Sequence, residues 1–132
     1  MDLICRGGGY IAYLYGIRYV SSMRMDGRDC LFCPFRLLLF ARNDVFAAVN
    51  RVEKGSQATG VAGVATNKGG VAIGIRVWDT EICFVNAHMA AHQDRTKARN
   101  GNYRDIVRGI RIDPHNMDCL TGYHHVFWQV AH

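Results

Sequence analysis

Three polar side chains flank two apolar stretches in the middle of this 132-residue chain, and their types suit phosphate binding. Asn67 and Lys68 stand directly before the apolar run 71–78, and His88 ends the apolar run 82–88. A lysine ammonium, an asparagine amide and an imidazole can all donate hydrogen bonds to phosphoryl oxygens. The spacing therefore predicts an anion site, provided that the fold brings these three residues together.

The same residues allow less specific interpretations. Residues 67–70, Asn-Lys-Gly-Gly, are typical of a turn that enters a hairpin. His88 and His92 have metal-ligand spacing on a helix, but with no third ligand nearby they also fit a helix cap and a surface residue. Cys30 and Cys33 have the spacing of half a zinc site, and because no second pair follows, structural thiols are favoured. On the residues alone these alternatives stay open.

Composition indicates a single globular domain, residues 1–132, with an anionic partner. Hydrophobic residues make up 49% of the chain and charged residues 20%, which excludes a disordered polypeptide. The net charge is +5 and the pI about 9.1, so nucleic acid, inositol phosphates and acidic lipid surfaces all qualify as partners.

Cysteine usage and the start of the chain predict a cytoplasmic location, with peripheral contact at membranes as a further option. The five cysteines are an odd number and are scattered, which favours reduced thiols over a disulfide scaffold. The first ten residues lack the basic region and apolar run of a signal peptide. No apolar stretch reaches the roughly 18 residues of a spanning helix.

Hydrophobic patterning predicts several strands joined by loops. A strand pair is expected over 10–20, a strand covered on both faces over 35–42, a strand over 45–52, a strand with one face in the core over 71–78, and a final buried strand near 124–130. Residues 21–34 are expected to be irregular, with a turn at Asp26-Gly27, and residues 53–70 to form a long loop.

The central elements predict where the chemistry lies. A turn at Asp79-Thr80 makes residues 69–88 an antiparallel hairpin, so Lys68 and His88 should meet at one edge of the sheet. Residues 93–110 should form an amphipathic helix that packs through an apolar stripe, namely Tyr103, Ile106, Val107 and Ile110. Basic residues on this helix fit a solvated face, and without interleaved aromatics nucleic acid is not favoured. The expected fold is layered α/β.

The sequence resembles the inositol polyphosphate 5-phosphatases of the endonuclease/exonuclease/phosphatase superfamily. That family carries a Thr-Gly stretch, then Asn-Lys-Gly-Gly-Val-Ala, a hairpin ending in Asn-Ser-His-Leu-Ala-Ala-His, a helix with Arg-Asn and an aromatic, and a Val-Phe-Trp strand. The resemblance covers about residues 35–128. The matching positions are Thr59-Gly60, 67–72, Asn86, His88, 90–92, Arg99-Asn100, Tyr103 and 125–128.

The resemblance implies a fold, a reaction and a set of roles. The fold is part of a four-layer α/β sandwich with a mostly antiparallel sheet and a packed helix. The reaction is hydrolysis of the 5-phosphate of inositol phosphates or phosphoinositide headgroups, with Mg²⁺ as cofactor and an aspartate activating water. His88 would be the catalytic residue that stabilises phosphoryl charge, and the implied substrate-binding residues are Asn67, Lys68, Asn86, Arg99 and Asn100.

Departures from the family pattern leave other functions open. Thr66 replaces a glycine and Ala87 a serine, and the Phe-Trp strand continues as Gln129-Val-Ala-His in place of Gly-Asp-Leu-Asn. The motifs that supply metal carboxylates and the general base have no counterpart in the 132 residues. We therefore expect a central fragment without turnover. The alternatives are a non-catalytic binder of inositol phosphates or lipid headgroups, a nuclease-type relative, and an unstable fragment with exposed sheet edges.

Overall fold

Two β-sheets face each other, and one helix covers the outer face of the larger sheet. The computed structural model describes residues 4–6, 17–24, 36–59, 68–112 and 116–131. The smaller sheet is antiparallel, in the order β1-β3-β2, and contains β1 (Ile4–Arg6), β2 (Ile17–Arg24) and β3 (Arg36–Arg42). The larger sheet, in the order β4-β5-β6-β7, contains β4 (Val49–Ala58), β5 (Gly69–Val77), β6 (Thr80–His88) and β7 (His125–Ala131). The helices are α1 (Asn43–Phe46) and α2 (Thr96–Gly109).

Strand β5 is buried on both faces, which the sequence analysis did not predict. Its large residues point into the core between the sheets and are Val71, Ile73, Ile75 and Val77. Its small residues face the other way, where α2 and Tyr123 pack: a Cβ on Gly70 would lie 2.6 Å from Ile106 Cγ2. The alternation of large with small residues, rather than apolar with polar, is what allows a second layer to approach so closely.

The hairpin predicted over residues 69–88 is confirmed. Strands β5 and β6 pair antiparallel along their full lengths, from Val77 opposite Thr80 to Gly69 opposite His88. The turn lies one residue earlier than predicted, at Trp78 and Asp79, and Trp78 adopts a positive φ of 50°.

The segment before the hairpin was predicted less well. The strand expected over 35–42 is confirmed, with buried residues on both of its faces. The strand expected over 45–52 begins only at Val49, because α1 occupies Asn43–Phe46. The long loop expected over 53–70 is wrong for residues 53–58, which continue β4 beside β5, and for residues 69–70, which begin β5. Residues 60–67 of this loop lie outside the described ranges. Among the described strands β4 lies at an edge, where it accommodates polar residues that obscure its pattern in the sequence.

Helix α2 is shorter than the predicted 93–110. Ile106 and Ile110 are fully buried against the larger sheet, as predicted, whereas Val107 is half-buried. Tyr103 is 41% exposed, and its ring lies 5.0 Å from that of Trp128. The helix ends because Ile110 has an extended backbone, with ψ at 118°.

The final strand, β7, is not buried as predicted. It pairs parallel with β6, and in the described part of the chain it has a strand neighbour on that side only. Phe127 stacks on buried Phe84 at a centroid distance of 5.3 Å, yet it is 58% exposed. Burial of a strand depends on the layer above it, which the residues of the strand do not encode.

Several predictions concern residues outside the described ranges. The turn at Asp26-Gly27, the pair Cys30 and Cys33, and residues 10–16 of the first strand pair all lie there. Within the described part, residues 21–24 continue β2 and are not irregular as predicted. Among the described helices, none is long and apolar enough to cross a membrane.

The tight approach at Gly74 gives the first prediction. A Cβ there would lie 2.5 Å from Tyr123 Cζ, and Tyr123 Oη donates to the Ile112 carbonyl at 3.1 Å. We expect Gly74→Ala to lower the free energy of unfolding by about 1–3 kcal/mol, because the ring has to leave its place. Gly101→Ala, which meets nothing within 4 Å on α2, should raise it by about 0.5–1 kcal/mol. Urea denaturation measures the free energy of unfolding of both variants. An equal change in the two would contradict the close packing of Tyr123 on Gly74.

Candidate functional site

Lys68 and His88 meet at the end of the hairpin opposite its turn. Lys68 directly precedes β5 and His88 is the last residue of β6, so the antiparallel register sets them side by side. Lys68 Nζ lies 2.7 Å from His88 Nε2, and both residues are half-buried. The predicted meeting of Lys68 with His88 is confirmed.

This contact assigns a hydrogen-bonding role to Nε2 of His88. An ammonium group can only donate, so Nε2 accepts from Lys68. A neutral imidazole in that contact carries its proton on Nδ1. The arrangement places a positive charge beside an imidazole, and both groups suit an anion with several oxygens.

Asn86 lies two residues before His88 on the same face of β6, the face that also carries Phe84. Its side chain is fully buried, and its Nδ2 donates to the Arg36 carbonyl of β3 at 3.3 Å. Its Oδ1 has no hydrogen-bond partner among the residues that the structure describes. A buried amide oxygen without a partner costs about 1–3 kcal/mol, which is unusual unless the group serves another purpose.

The remaining predicted site residues lie elsewhere or outside the described ranges. Asn67 is not among the described residues. Arg99 faces the loop after β6, where its guanidinium donates to the carbonyls of Ala90, His92 and Gln93. Asn100 is exposed on α2, and no described hydrogen bond joins its side chain to Lys68, Asn86 or His88. Arg99 therefore holds the chain behind His88.

Two residues that the sequence analysis did not single out as site residues connect both sides of this region. Asn102 Nδ2 donates to Thr59 Oγ1 at 3.1 Å, and Asn102 Oδ1 accepts from the Ala90 N–H at 3.0 Å. Thr59 is buried, and its N–H donates to the Lys68 carbonyl at 3.0 Å. The only signal in the sequence is that Asn102 stands three residues after Arg99, on the same face of α2.

The arrangement near Lys68 does not fit a divalent cation. His92 is exposed in a loop with a φ of 74°, so it does not share a helical face with His88, as a metal-binding pair on a helix would require. Among the described residues no three His, Cys, Asp or Glu side chains could together hold a metal. The donors described at this end are an ammonium, an imidazole and amides, whereas Mg²⁺ prefers carboxylate and carbonyl oxygens.

Ala87 stands where the family pattern has a serine. It points away from Lys68. It is fully buried and packs with Ile106 on the α2 side of the larger sheet. Because successive residues of a strand face opposite sides, a serine here would not share the face of Asn86 and His88. This departure therefore leaves the face that carries His88 unchanged.

An apolar groove in the described structure is a different feature. It is an open, mainly apolar groove of about 610 Å³ on the inner face of β6 and β7, lined by Ile82, Phe84 and Phe127 among others. Neither Lys68 nor His88 lines it. Its lining is mainly apolar, so it offers few groups that could bind a phosphate.

The described cysteines are not candidate nucleophiles. Cys83 and Cys119 are both fully buried beside α2. Burial raises the pKa of the Cys119 thiol to about 11 and that of Cys83 far above its usual range, with each also raised by a neighbouring group that can carry negative charge. Both stay protonated at neutral pH and act as small apolar residues.

Comparison with known proteins gives the family. The profile of the Endonuclease/Exonuclease/phosphatase family 2 matches residues 30–130, which is most of the chain. The chain belongs to this family. It is 38% identical over 93 residues to the type II inositol 1,4,5-trisphosphate 5-phosphatase of Mus musculus, which covers 68% of this chain and 9% of that protein. It is also 30% identical over 109 residues to the phosphatidylinositol 4,5-bisphosphate 5-phosphatase A of Homo sapiens, covering 83% and 10% respectively.

A solved structure of the same family confirms the fold. The chain is similar to the inositol polyphosphate 5-phosphatase domain of SPsynaptojanin in complex with inositol (1,4)-bisphosphate and a calcium ion. The TM-score is 0.71 at 25% identity, over 86% of this chain and 30% of that one. The expected sheet-rich α/β architecture with a packed helix is thus confirmed. The chain spans about a tenth of the length of the two curated relatives.

The buried amide of Asn86 gives the second prediction. Leucine has nearly the same shape, so Asn86→Leu removes a polar group whose oxygen has no described partner. We expect the free energy of unfolding to stay within about 1 kcal/mol of the original or to increase. Urea denaturation measures this. A loss of more than about 3 kcal/mol would show that the Asn86 amide stabilises the fold through its bond to the Arg36 carbonyl.

Proposed function

We propose that this chain carries the phosphate-binding part of an inositol polyphosphate 5-phosphatase site, with Lys68 and His88 contacting a phosphate of the inositol ring. The observation that supports this most directly is the 2.7 Å contact between Lys68 Nζ and His88 Nε2 at the end of the hairpin. It joins the two motifs on which the family resemblance rests. In the solved relative, a domain of this family binds inositol (1,4)-bisphosphate.

Each proposed contact has a distinct physical role. The Lys68 ammonium supplies positive charge to phosphoryl oxygens, and a charge-assisted hydrogen bond is stronger than a neutral one. His88, whose Nε2 accepts from Lys68, places its imidazole beside that charge, where it would contact the same phosphate. Asn86 lies on the same face of β6 as His88. Asn67 and Asn100 are included in the proposed site because they match positions of the family motif. Such groups also stabilise the charge that moves onto oxygen when a phosphate ester is cleaved.

Phosphomonoester hydrolysis is favoured over a nuclease reaction. Both curated relatives named above are 5-phosphatases, one of a soluble inositol phosphate and one of an inositol lipid. The substrate is accordingly proposed as an inositol phosphate or a phosphoinositide headgroup, which at a membrane would require peripheral contact.

Hydrolysis of the phosphate ester needs groups in addition to the donors around Lys68. Mg²⁺ is proposed as the metal of the family reaction, where it polarises the phosphate, but the donors around Lys68 do not fit it. The solved relative holds calcium. The chemistry assigned to these 132 residues is therefore binding and orientation of the phosphate.

The third prediction concerns affinity. Lys68→Ala should weaken inositol (1,4)-bisphosphate binding by about 10–100-fold, because a hydrogen bond to a charged group contributes roughly 1.5–3 kcal/mol. Isothermal titration calorimetry at low and at physiological salt measures this. Lys97→Ala, which removes an equal charge from the exposed first turn of α2, is the matched control. Equal losses in both variants would show that binding is diffuse attraction to a basic surface.

The fourth prediction concerns turnover. The 132-residue chain should release no inorganic phosphate from inositol 1,4,5-trisphosphate with Mg²⁺ present, because orientation without a metal and a general base leaves most of the barrier in place. A malachite green assay beside the mouse relative as positive control measures it. Release that a Lys68→Ala, His88→Ala double variant abolishes would make this chain an enzyme by itself.

A further inference from the structure

We propose that Asn102 is a positioning residue that holds the two sides of the Lys68–His88 contact in register. Its effect on ligand binding rests on the proposed function, whereas its effect on the geometry of His88 does not. Asn102 lies on α2, behind the hairpin, and reaches both segments that carry the candidate site.

The first side is the segment that ends in Lys68. Asn102 Nδ2 donates to the buried Thr59 Oγ1 at 3.1 Å, across 43 residues of sequence. The Thr59 N–H in turn donates to the Lys68 carbonyl at 3.0 Å, which extends the β4–β5 pairing beyond Gly69. Asn102 is thereby connected to the backbone of Lys68 through one intermediate residue.

The second side is the loop that follows His88. Asn102 Oδ1 accepts from the Ala90 N–H at 3.0 Å, only two residues after the end of β6. Arg99, one helical turn earlier, donates to carbonyls of the same loop. The backbone that leaves His88 is therefore attached to one face of α2.

These bonds close a ring. Starting at Asn102, it passes through Thr59, Lys68, His88 and Ala90 and returns to Asn102. Lysine is a flexible side chain that loses rotamer entropy when it is fixed. A backbone already held on both sides reduces the further freedom that has to be lost when Lys68 and His88 close on a phosphate.

The chemistry of the bridge requires an amide. It needs a donor towards the Thr59 hydroxyl and an acceptor for the Ala90 N–H at the same time. Asparagine offers both from one planar group, aspartate offers only acceptors, and leucine of similar size offers neither. Substitutions at this one position can thus separate the two bonds.

The test uses the full chain with three variants. Asn102→Leu removes both bonds, Asn102→Asp keeps the acceptor for Ala90, and Asn50→Leu is the matched control. Asn50 is an exposed asparagine near the other end of the hairpin, where it donates to the Trp78 carbonyl. Two readouts are recorded: the ¹⁵N chemical shifts of the His88 ring, which report its tautomer, and the calorimetric affinity for inositol (1,4)-bisphosphate.

We expect Asn102→Leu to lose the single Nδ1–H tautomer of His88 and to weaken the ligand about tenfold. Asn102→Asp should fall between it and the original chain, and Asn50→Leu should change neither quantity. A purely structural residue would lower the unfolding midpoint without altering the tautomer. If Asn102→Leu is folded and keeps both the tautomer and the affinity, the proposal is overturned.

Two further outcomes are distinguishable. If Asn102→Leu does not fold, Thr59→Val removes one of the same bonds with little change of shape, and an unchanged His88 tautomer in that variant also overturns the proposal. If the original chain shows no affinity for inositol (1,4)-bisphosphate, the proposed function fails. The ring shifts of His88 still decide in that case whether Asn102 positions the contact.

Discussion

The antiparallel pairing of β5 with β6 organises both the core and the candidate site. It sets Gly69 opposite His88, so the residue before one strand and the last residue of the other must meet. Strand β5 can be covered on both faces because its large side chains point towards the smaller sheet, whereas glycine and alanine lie on the face towards α2. Without those small residues the helix could not approach, and the loop behind His88 would have nothing to pack on.

The candidate site is built almost entirely from the ends of elements, and its precision comes from hydrogen bonds made behind it. Lys68 and His88 carry the charge and the donor, whereas Asn102 and Arg99 secure the backbone on either side. Asn86 differs from both groups, since it is buried next to the site with an amide oxygen that has no described partner. A protein that retains such a group gives up some stability, and binding sites are where this is usually found.

Membership in the endonuclease/exonuclease/phosphatase family and the donors of this chain bear on different parts of the proposed function. The family match and the solved relative give the fold, and the ligand of that relative is inositol (1,4)-bisphosphate. The described donors are cationic and amide groups, which suit phosphate but not a hard metal ion. The phosphate recognition that we propose therefore lies in the hairpin and the helix behind it, and its donors differ in type from those of a metal site.

Strand alternation, helical periodicity and antiparallel pairing are local rules, so the sequence was enough to predict the hairpin, the helix and the meeting of Lys68 with His88. The family motifs could also be read there. Packing between the layers, in contrast, explains why residues 53–58 form a strand, why β7 is exposed and why Arg99 faces a loop. Each of these depends on which layer lies opposite, and so does the bridging role of Asn102. A hydrogen bond between residues 43 positions apart leaves no periodic trace in the sequence, since its partners are brought together only by the packing of α2 on the sheet.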